Sequence, residues 1–493
     1  MKLIVIIFSI LISVPDRAFG FDLASQIQEL KLSNGMIWLI VHRPQVPVFS
    51  GIVMIRAGGA DEVPGKTGLA HMFEHMAFKG SKKIGTRDFQ KEAPLLKEIE
   101  NCGEEMSQLT QSDAPDLKRI AELKAKIQKL TQEEYQTMKK NEVWEILSRK
   151  GAEDLNAFTA KDVTAYHASM PVAQFPLWAS VTSEMVFDPI MREFYQERDV
   201  VMEERRLRYD NSPNGFLWEV VAQEAFPEGP YHWSTIGHAK DLVSLTMKDA
   251  ALFHSTHYTP QNMVGVLVGD LSRDQARATL EKYFGKVPAR KPPKDISAPD
   301  FSFKGEKRKT ISFPAEPSLV VAFHKPKAPQ REDYIFDMLD GLLCEGRTGR
   351  LYQKLVKELK IASTISCAAS FPGSRQNNLF VIYSQPINGH SLEELEKAIH
   401  EELQRITTDL QPKELEKVRA QISYNFFWSL ASNSELAEQL AIDQAVIKDW
   451  KYVVHYPKII ETISIDEIKK TAKHYFTQEN RVIVYQIRGK RKS

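Results

Sequence analysis

The stretch "SLTMKDAALFHSTHYTPQNMVGVLVGD" (residues 244–270) has a counterpart near the far end of the chain, "TISIDEIKKTAKHYFTQENRVIVYQIRG" (462–489). At a constant offset of 218, Tyr258 aligns with Phe476, Thr259 with Thr477, and Asn262 with Asn480. Val264 and Val266 fall on Val482 and Val484. Each copy reads as a helix, a turn and then a strand. The beginnings of the halves agree as well: "VFSGIVMIRAG" (48–58) and "PSLVVAFHKPK" (317–327) are strands leading into a helix. Two related α+β domains in tandem are the simplest account. Between them, "ARKPPKDISAP" (289–299) is rich in Pro and Lys, lacks periodicity and reads as a linker, set here at 289–305. The domains are then 21–288 and 306–493.

The composition is that of a globular protein with ample core: 43% of the 493 residues are hydrophobic and 26% charged. A net charge of +1 creates no global basic field, so nucleic acid is not an expected partner. Residues 1–20, "MKLIVIIFSILISVPDRAFG", carry a lysine, an apolar run and a small-x-small end, the pattern of a signal peptide. The run from Leu3 to Val14 is too short to span a bilayer comfortably. No later segment is apolar enough to cross a membrane, so the mature chain is expected to be exported, periplasmic or secreted, and soluble. Cys102, Cys344 and Cys367 form no CxxC pair. Cys344 and Cys367 can form a disulfide in an exported protein, but an odd count gives no framework.

Chemistry concentrates in "GLAHMFEHMAFKG" (68–80). Leu69, Met72, Phe73, Met76 and Phe78 suit a helix packed into a core. His71 and His75, four apart, project side by side from one face, with Glu74 on nearly the same side. Two neutral imidazoles so placed can hold one metal ion, and the carboxylate beside them can reach a water on that ion. Burying these three polar groups without partners would be unfavourable by several kcal/mol. HxxEH is the reversed form of the zincin motif. A catalytic zinc wants three protein ligands and a water, so one ligand must come from elsewhere. The candidate segment is "REFYQERDVVMEERRLRYDN" (192–211). Its Phe194, Val200, Val201 and Leu207 predict a helix with one buried side. Glu197 and Glu204, seven apart, share a face, whereas Glu203 points about 100° away. A charged helix solvating its outer face would show the same pattern. The second copy's "DYIFDMLDGLL" (333–343) has no histidine, so only the first domain can carry this site.

The HxxEH helix, the following "FKG", "NAFTAKDVTAYH" (156–167) and "ERDVVMEERR" (197–206) together resemble the M16 (pitrilysin/insulinase-like) zinc metallopeptidases. The likeness is to the bacterial relatives of the mitochondrial processing peptidase and extends to the tandem duplication. It implies two M16-type α/β-sandwich domains, the second non-catalytic. It implies one zinc per chain on His71, His75 and Glu204, with Glu197 behind the ligands and Glu74 as the catalytic base. It also implies that the strand read in "LNAFTAKDVTAYHASMP" (155–171), with Asn156 and Ala157, pairs with an extended peptide substrate. The expected activity is that of a zinc endopeptidase. A non-catalytic M16-like assembly subunit, or an exported zinc-binding protein, is the alternative.

Two features depart from the family pattern. About residues 90–148 form an insertion in which Leu117, Ile120, Leu123, Ile127 and Leu130 recur at helical spacing, predicting an antiparallel helical hairpin with a narrow apolar seam. Many family members also supply an Arg and a Tyr from the second domain, in a pattern like LRxxxxLxY. Here "LVKELKIAS" (355–363) puts Val356 and Ser363 at those places. A complete metal site beside an incomplete clamp points to a heterodimer with a second M16-like subunit; a homodimer or monomer binding substrate through other residues is the alternative.

Overall fold

The computed structural model describes residues 23–297 and 305–490; the expected signal peptide lies outside them. Asn262 and Asn480, matched by the repeat, do the same work in each half. The Asn262 amide donates to the carbonyls of Arg56 and His257, and the Asn480 amide donates to those of His324 and Tyr475. Each thereby ties the end of a helix to the start of the strand that follows it.

The first sheet comprises β1 (Ile27–Lys31), β2 (Ile37–His42), β3 (Val48–Ile55), β4 (Glu153–Thr159), β5 (Thr164–Pro171) and β6 (Met263–Gly269), in the order β1-β2-β6-β3-β5-β4. The second comprises β7 (Lys307–Phe313), β8 (Ser318–Lys325), β9 (Ala362–Phe371), β10 (Asn378–Pro386) and β11 (Arg481–Arg488), in the order β7-β11-β8-β10-β9. Apart from the extra edge strand β1, the topology repeats. In each sheet one parallel pair, β2 with β6 or β7 with β11, is followed by antiparallel neighbours. This is the tandem α+β architecture that the duplicated sequence predicts.

Six helices of the first half concern the site and its support: α1 (Leu69–Ala77), α2 (Phe89–Thr110), α3 (Leu117–Glu134), α4 (Phe194–Arg205), α5 (Pro213–Ala225) and α6 (Met247–His257). From the second half come α7 (Arg331–Leu343), α8 (Asn433–Ile442) and α9 (Ile465–Tyr475). Helices α1 and α6 pack on one face of the first sheet, where Phe73, Met76, Ala250 and Phe253 join Trp38, Phe49 and Val53 in a common core. The opposite face is covered by the other half of the chain. Leu436, Ala437, Leu440 and Ala441 of α8 lie on Leu39, Ile52, Val266 and Val268. Reciprocally, Leu217, Val220, Val221 and Ala225 of α5 lie on Val320, Ala322, Val381 and Val484 of the second sheet. With apolar cover on both faces, β6 is buried at every position and reads as a continuous hydrophobic run. Polar contacts fix the same junction. Asp162 accepts from Tyr231 Oη and from the backbone N–H groups of Ser374 and Arg375, and the Arg375 guanidinium meets Asp61 at 2.7 Å.

The insertion is an antiparallel hairpin of α2 and α3 whose seam buries Leu96, Ile99, Cys102 and Met106 against Leu123, Ile127 and Leu130. Leu117 lies outside that seam, 73% exposed at the first position of α3. Cys344 and Cys367 form a disulfide, and Cys102 is a buried free thiol. Among the described residues no helix is long and apolar enough to cross a membrane.

Two expectations need correction. Residues 155–171 are a hairpin, not one strand: Ala160 N–H donates to Val163 O, β4 forms the sheet edge and β5 turns inward. Helix α4 also buries a different stripe from the one its apolar residues suggest. Val200 and Leu207 are 50% and 70% exposed, while Phe194, Arg198, Val201 and Arg205 face inward. The two arginines tolerate burial because acceptors in the fold meet their terminal nitrogens, although the Nε of each is buried without a partner. Arg198 donates to the carbonyls of Val243 and Leu245, and Arg205 to Glu219 and Gly237 O.

Candidate metal centre

Helix α1 begins at Gly68, whose φ of +93° is a left-handed conformation suited to glycine. The first-turn N–H groups of Gly68 and Ala70 both donate to the side-chain carboxyl oxygens of Glu62. Glu62 is fully buried, and desolvation pushes its pKa up to about 8 against the opposing pull of Lys161. It adjoins Asp61, the partner of Arg375, so the junction between the halves also anchors the helix that carries the histidines.

Along α1, Leu69, Ala70, Met72, Phe73, Met76 and Ala77 turn into the core, leaving His71, Glu74 and His75 at the side facing α4 and β4. The imidazole centroids are 4.9 Å apart. Glu204 approaches from α4, with Oε2 at 3.7 Å from His71 Nε2 and 3.6 Å from His75 Nε2. One ligand atom from each residue falls within 4.8 Å of the others. The other Glu204 oxygen, Oε1, is engaged by Arg208 Nε at 3.0 Å. Glu203 points away into an exposed pair with Arg206. Two imidazole nitrogens and one carboxylate oxygen converging at this spacing fit a single zinc ion with one position left open. Among the described residues no other group of this kind occurs; α7, which follows β8 as α1 follows β3, has no histidine.

The histidines are held differently. His75 Nδ1 lies 3.3 Å from Glu197 Oε2, whereas His71 Nδ1 is buried without a hydrogen-bond partner. Burial, helped by the charges of His75 and Arg208, drives the His71 pKa down to about 3, leaving a neutral imidazole. Burial alone would lower His75 too, but its bond to Glu197 and the charges of Glu74, Glu197 and Glu204 raise it on balance. Glu74 is raised by burial, against the hydrogen bond from Thr159 Oγ1, which donates to Glu74 Oε2 over 2.6 Å. Desolvation also acts to raise Glu197, yet bonds to His75 and Lys79 hold it below the ordinary glutamate value.

Thr159 belongs to β4, the open edge of the sheet. Asn156 and Ala157 lie just upstream on the same strand, opposite His167 and Tyr166 of β5. Asn156 is exposed and Ala157 buried, and the free edge of β4 runs past Glu74. Sequence reasoning missed Thr159 and Lys79, whose partners lie far away in the chain, and Glu62, which reaches α1 across the loop before it. Arg208 was legible in principle, standing four residues beyond Glu204 on the same side.

Comparisons with known proteins bear on the family and the fold. The family model described as "Insulinase (Peptidase family M16)" matches residues 38–113, which include α1, and "Peptidase M16 inactive domain" matches 244–422. The "Zinc protease PqqE" of Helicobacter pylori is 24% identical over 88% of this chain and 86% of its own. The crystal structure of a protease from Helicobacter pylori superposes with a TM-score of 0.77 at 23% identity, covering 93% of this chain and 99% of that one. The periplasmic protease PqqL from Escherichia coli gives 0.69 at 16% identity, over 94% of this chain and 47% of its own. The likeness to these structures extends over both halves and concerns the fold. With family models on either half, and with that two-domain fold shared nearly end to end, the chain belongs to peptidase family M16.

Proposed function

We propose that the protein is an exported zinc endopeptidase that cuts extended peptides or small unfolded proteins. The observation that carries this reading is the convergence of His71, His75 and Glu204 beside the carboxylate of Glu74. Bound there, zinc lowers the pKa of water toward ~7 and polarises a carbonyl. On this reading Glu74 takes a proton from the attacking water and hands it to the leaving amine. The Thr159 hydroxyl, donating to Oε2, holds that carboxyl group in place. Glu197 orients His75. The edge of β4 at Asn156 and Ala157 supplies main-chain donors and acceptors to a peptide lying as an added strand, an arrangement with loose sequence demands. The Helicobacter relative's name, a zinc protease, agrees with this reading.

Export rests on residues 1–20 and is in keeping with the periplasmic relative PqqL. The proposed domains are 21–288 and 306–493, joined by 289–305. A second subunit is favoured by the surroundings of Val356 and Ser363. Val356 packs against the second core, and Ser363 Oγ donates to Gln385 O, so neither supplies a long polar side chain to substrate. Purified protein should cleave a mixed peptide library in a zinc-dependent way, more strongly with a co-expressed M16-like partner. Glu74→Gln should keep zinc and peptide binding while turnover falls by about 10²- to 10⁴-fold. Near-normal turnover in that variant would remove Glu74 from its role.

A further inference from the structure

The three residues after α1, Phe78, Lys79 and Gly80, are part of the sequence signature but take no part in the chemistry described so far. Phe78 stacks on Trp144 of the insertion, with ring centroids 5.1 Å apart. Gly80 has φ of +88°, and a Cβ there would collide with Ile84 O. Between them Lys79 is held at both ends. Its carbonyl accepts from Arg192, a fully buried guanidinium that also donates to the carbonyls of Ser81 and Ile84 and pairs with Glu92 of α2. Its ammonium lies 2.5 Å from Glu197 Oε1 and 3.1 Å from Glu193 Oε2. Glu193 stands at the N-cap of α4 with φ of +56°, an uncommon conformation for a non-glycine residue. Its other oxygen is met by Lys140 of the insertion at 3.3 Å.

We propose that Lys79 is a positioning residue for the metal centre, locking Glu197 so that its other oxygen fixes the ring of His75, with the insertion's base as part of the anchor. Each Glu197 oxygen has a separate duty: Oε2 faces His75 Nδ1 and Oε1 faces Lys79. Without the ammonium, Glu197 can rotate toward solvent and His75 loses the acceptor that sets its tautomer and orientation. Lys79, Glu193 and Glu197 are 17%, 13% and 19% exposed, so these contacts are less screened than surface ion pairs. His71 has no comparable support, which makes the Lys79–Glu197 pair the main brace on either imidazole. The insertion is on this view a buttress and not a surface elaboration.

This inference rests on the zinc reading of the site, and its test separates the two. Zinc affinity is measured by chelator competition on the full chain, for the wild type, Lys79→Met, Lys79→Arg and the double variant Lys79→Met/Glu193→Gln. The double variant also removes the Glu193 carboxylate, which without the ammonium keeps Lys140 as its ion-pair partner, so that a folding defect from Glu193–Glu197 repulsion is not mistaken for a positioning effect. Loss of an outer partner of a metal ligand typically lowers metal affinity by about 10- to 100-fold. Lys79→Met and the double variant should both show a loss in that range, and Lys79→Arg a smaller one. Wild-type affinity in the double variant would overturn the role of Lys79 while leaving the metal site standing. Absence of zinc binding by the wild type would overturn the site itself.

Discussion

The hydroxyl of Thr159, on the edge strand β4, donates to Glu74 Oε2 across 2.6 Å, so the strand proposed to receive the peptide also holds the proposed base. A hydrogen bond to a charged group is worth about 1.5–3 kcal/mol, or roughly 10- to 100-fold in a rate if it acts in the transition state. Thr159→Val should lower kcat by that factor with little change in KM or zinc content, and Thr159→Ser should restore most of it. A change confined to KM would show that Thr159 serves binding alone.

The reciprocal cover of the sheets predicts that each half depends on the other. Leu217 of α5 and Leu440 of α8 are fully buried in cores belonging to the opposite sheet. Leu→Ala at either site should reduce stability by about 2–5 kcal/mol, as for leucines within a single core. Denaturant unfolding is the check. A loss under 1 kcal/mol at both positions would mean that the halves pack loosely.

Glu134, near the end of α3, is fully buried with neither carboxylate oxygen hydrogen-bonded. Burial first, then the charge of Glu92, pushes its pKa up to about 8 from the ordinary value of 4.5. Between these values the folded chain binds more protons than the unfolded one. The contribution of Glu134 is therefore fully present below about pH 4.5 and lost as pH rises through about 8. Glu134→Gln should be more stable than wild type at pH 8, by a margin that shrinks toward pH 5. Parallel stability curves for the two proteins would rule this out.

Much of the architecture and the core of the site could be read without coordinates, for a physical reason. His71, Glu74 and His75 lie within one helical turn, and Glu197 and Glu204 are two turns apart, so helical periodicity alone puts each set on one face. The repeat was legible because Asn262 and Asn480 make equivalent helix-to-strand bonds that fix their spacing from the valines that follow. What periodicity could not reveal were the contacts made across the fold. Lys79 meets Glu197, and Thr159 meets Glu74, through chain returns that no local pattern encodes.

The misreadings have a common root in treating side-chain polarity as a measure of burial. Arg198 and Arg205 go inside because carbonyls and Glu219 await them, and Val200 and Leu207 are left outside. Similarly, the turn between β4 and β5 carries no Gly, Pro or Asn. Its Lys161 and Asp162 are buried, bound to Trp233 O and to the second half of the chain, so the bend is set by tertiary contacts.

The ligand set proposed for one zinc ion is His71, His75 and Glu204. Its most direct test is the zinc content of purified wild-type protein, His71→Ala, Glu204→Gln and Glu203→Gln, measured together with peptide hydrolysis. One zinc per chain is expected in the wild type and in Glu203→Gln, with zinc and activity lost together in His71→Ala and Glu204→Gln. Full zinc and full turnover in Glu204→Gln, with both lost in Glu203→Gln, would contradict this ligand assignment.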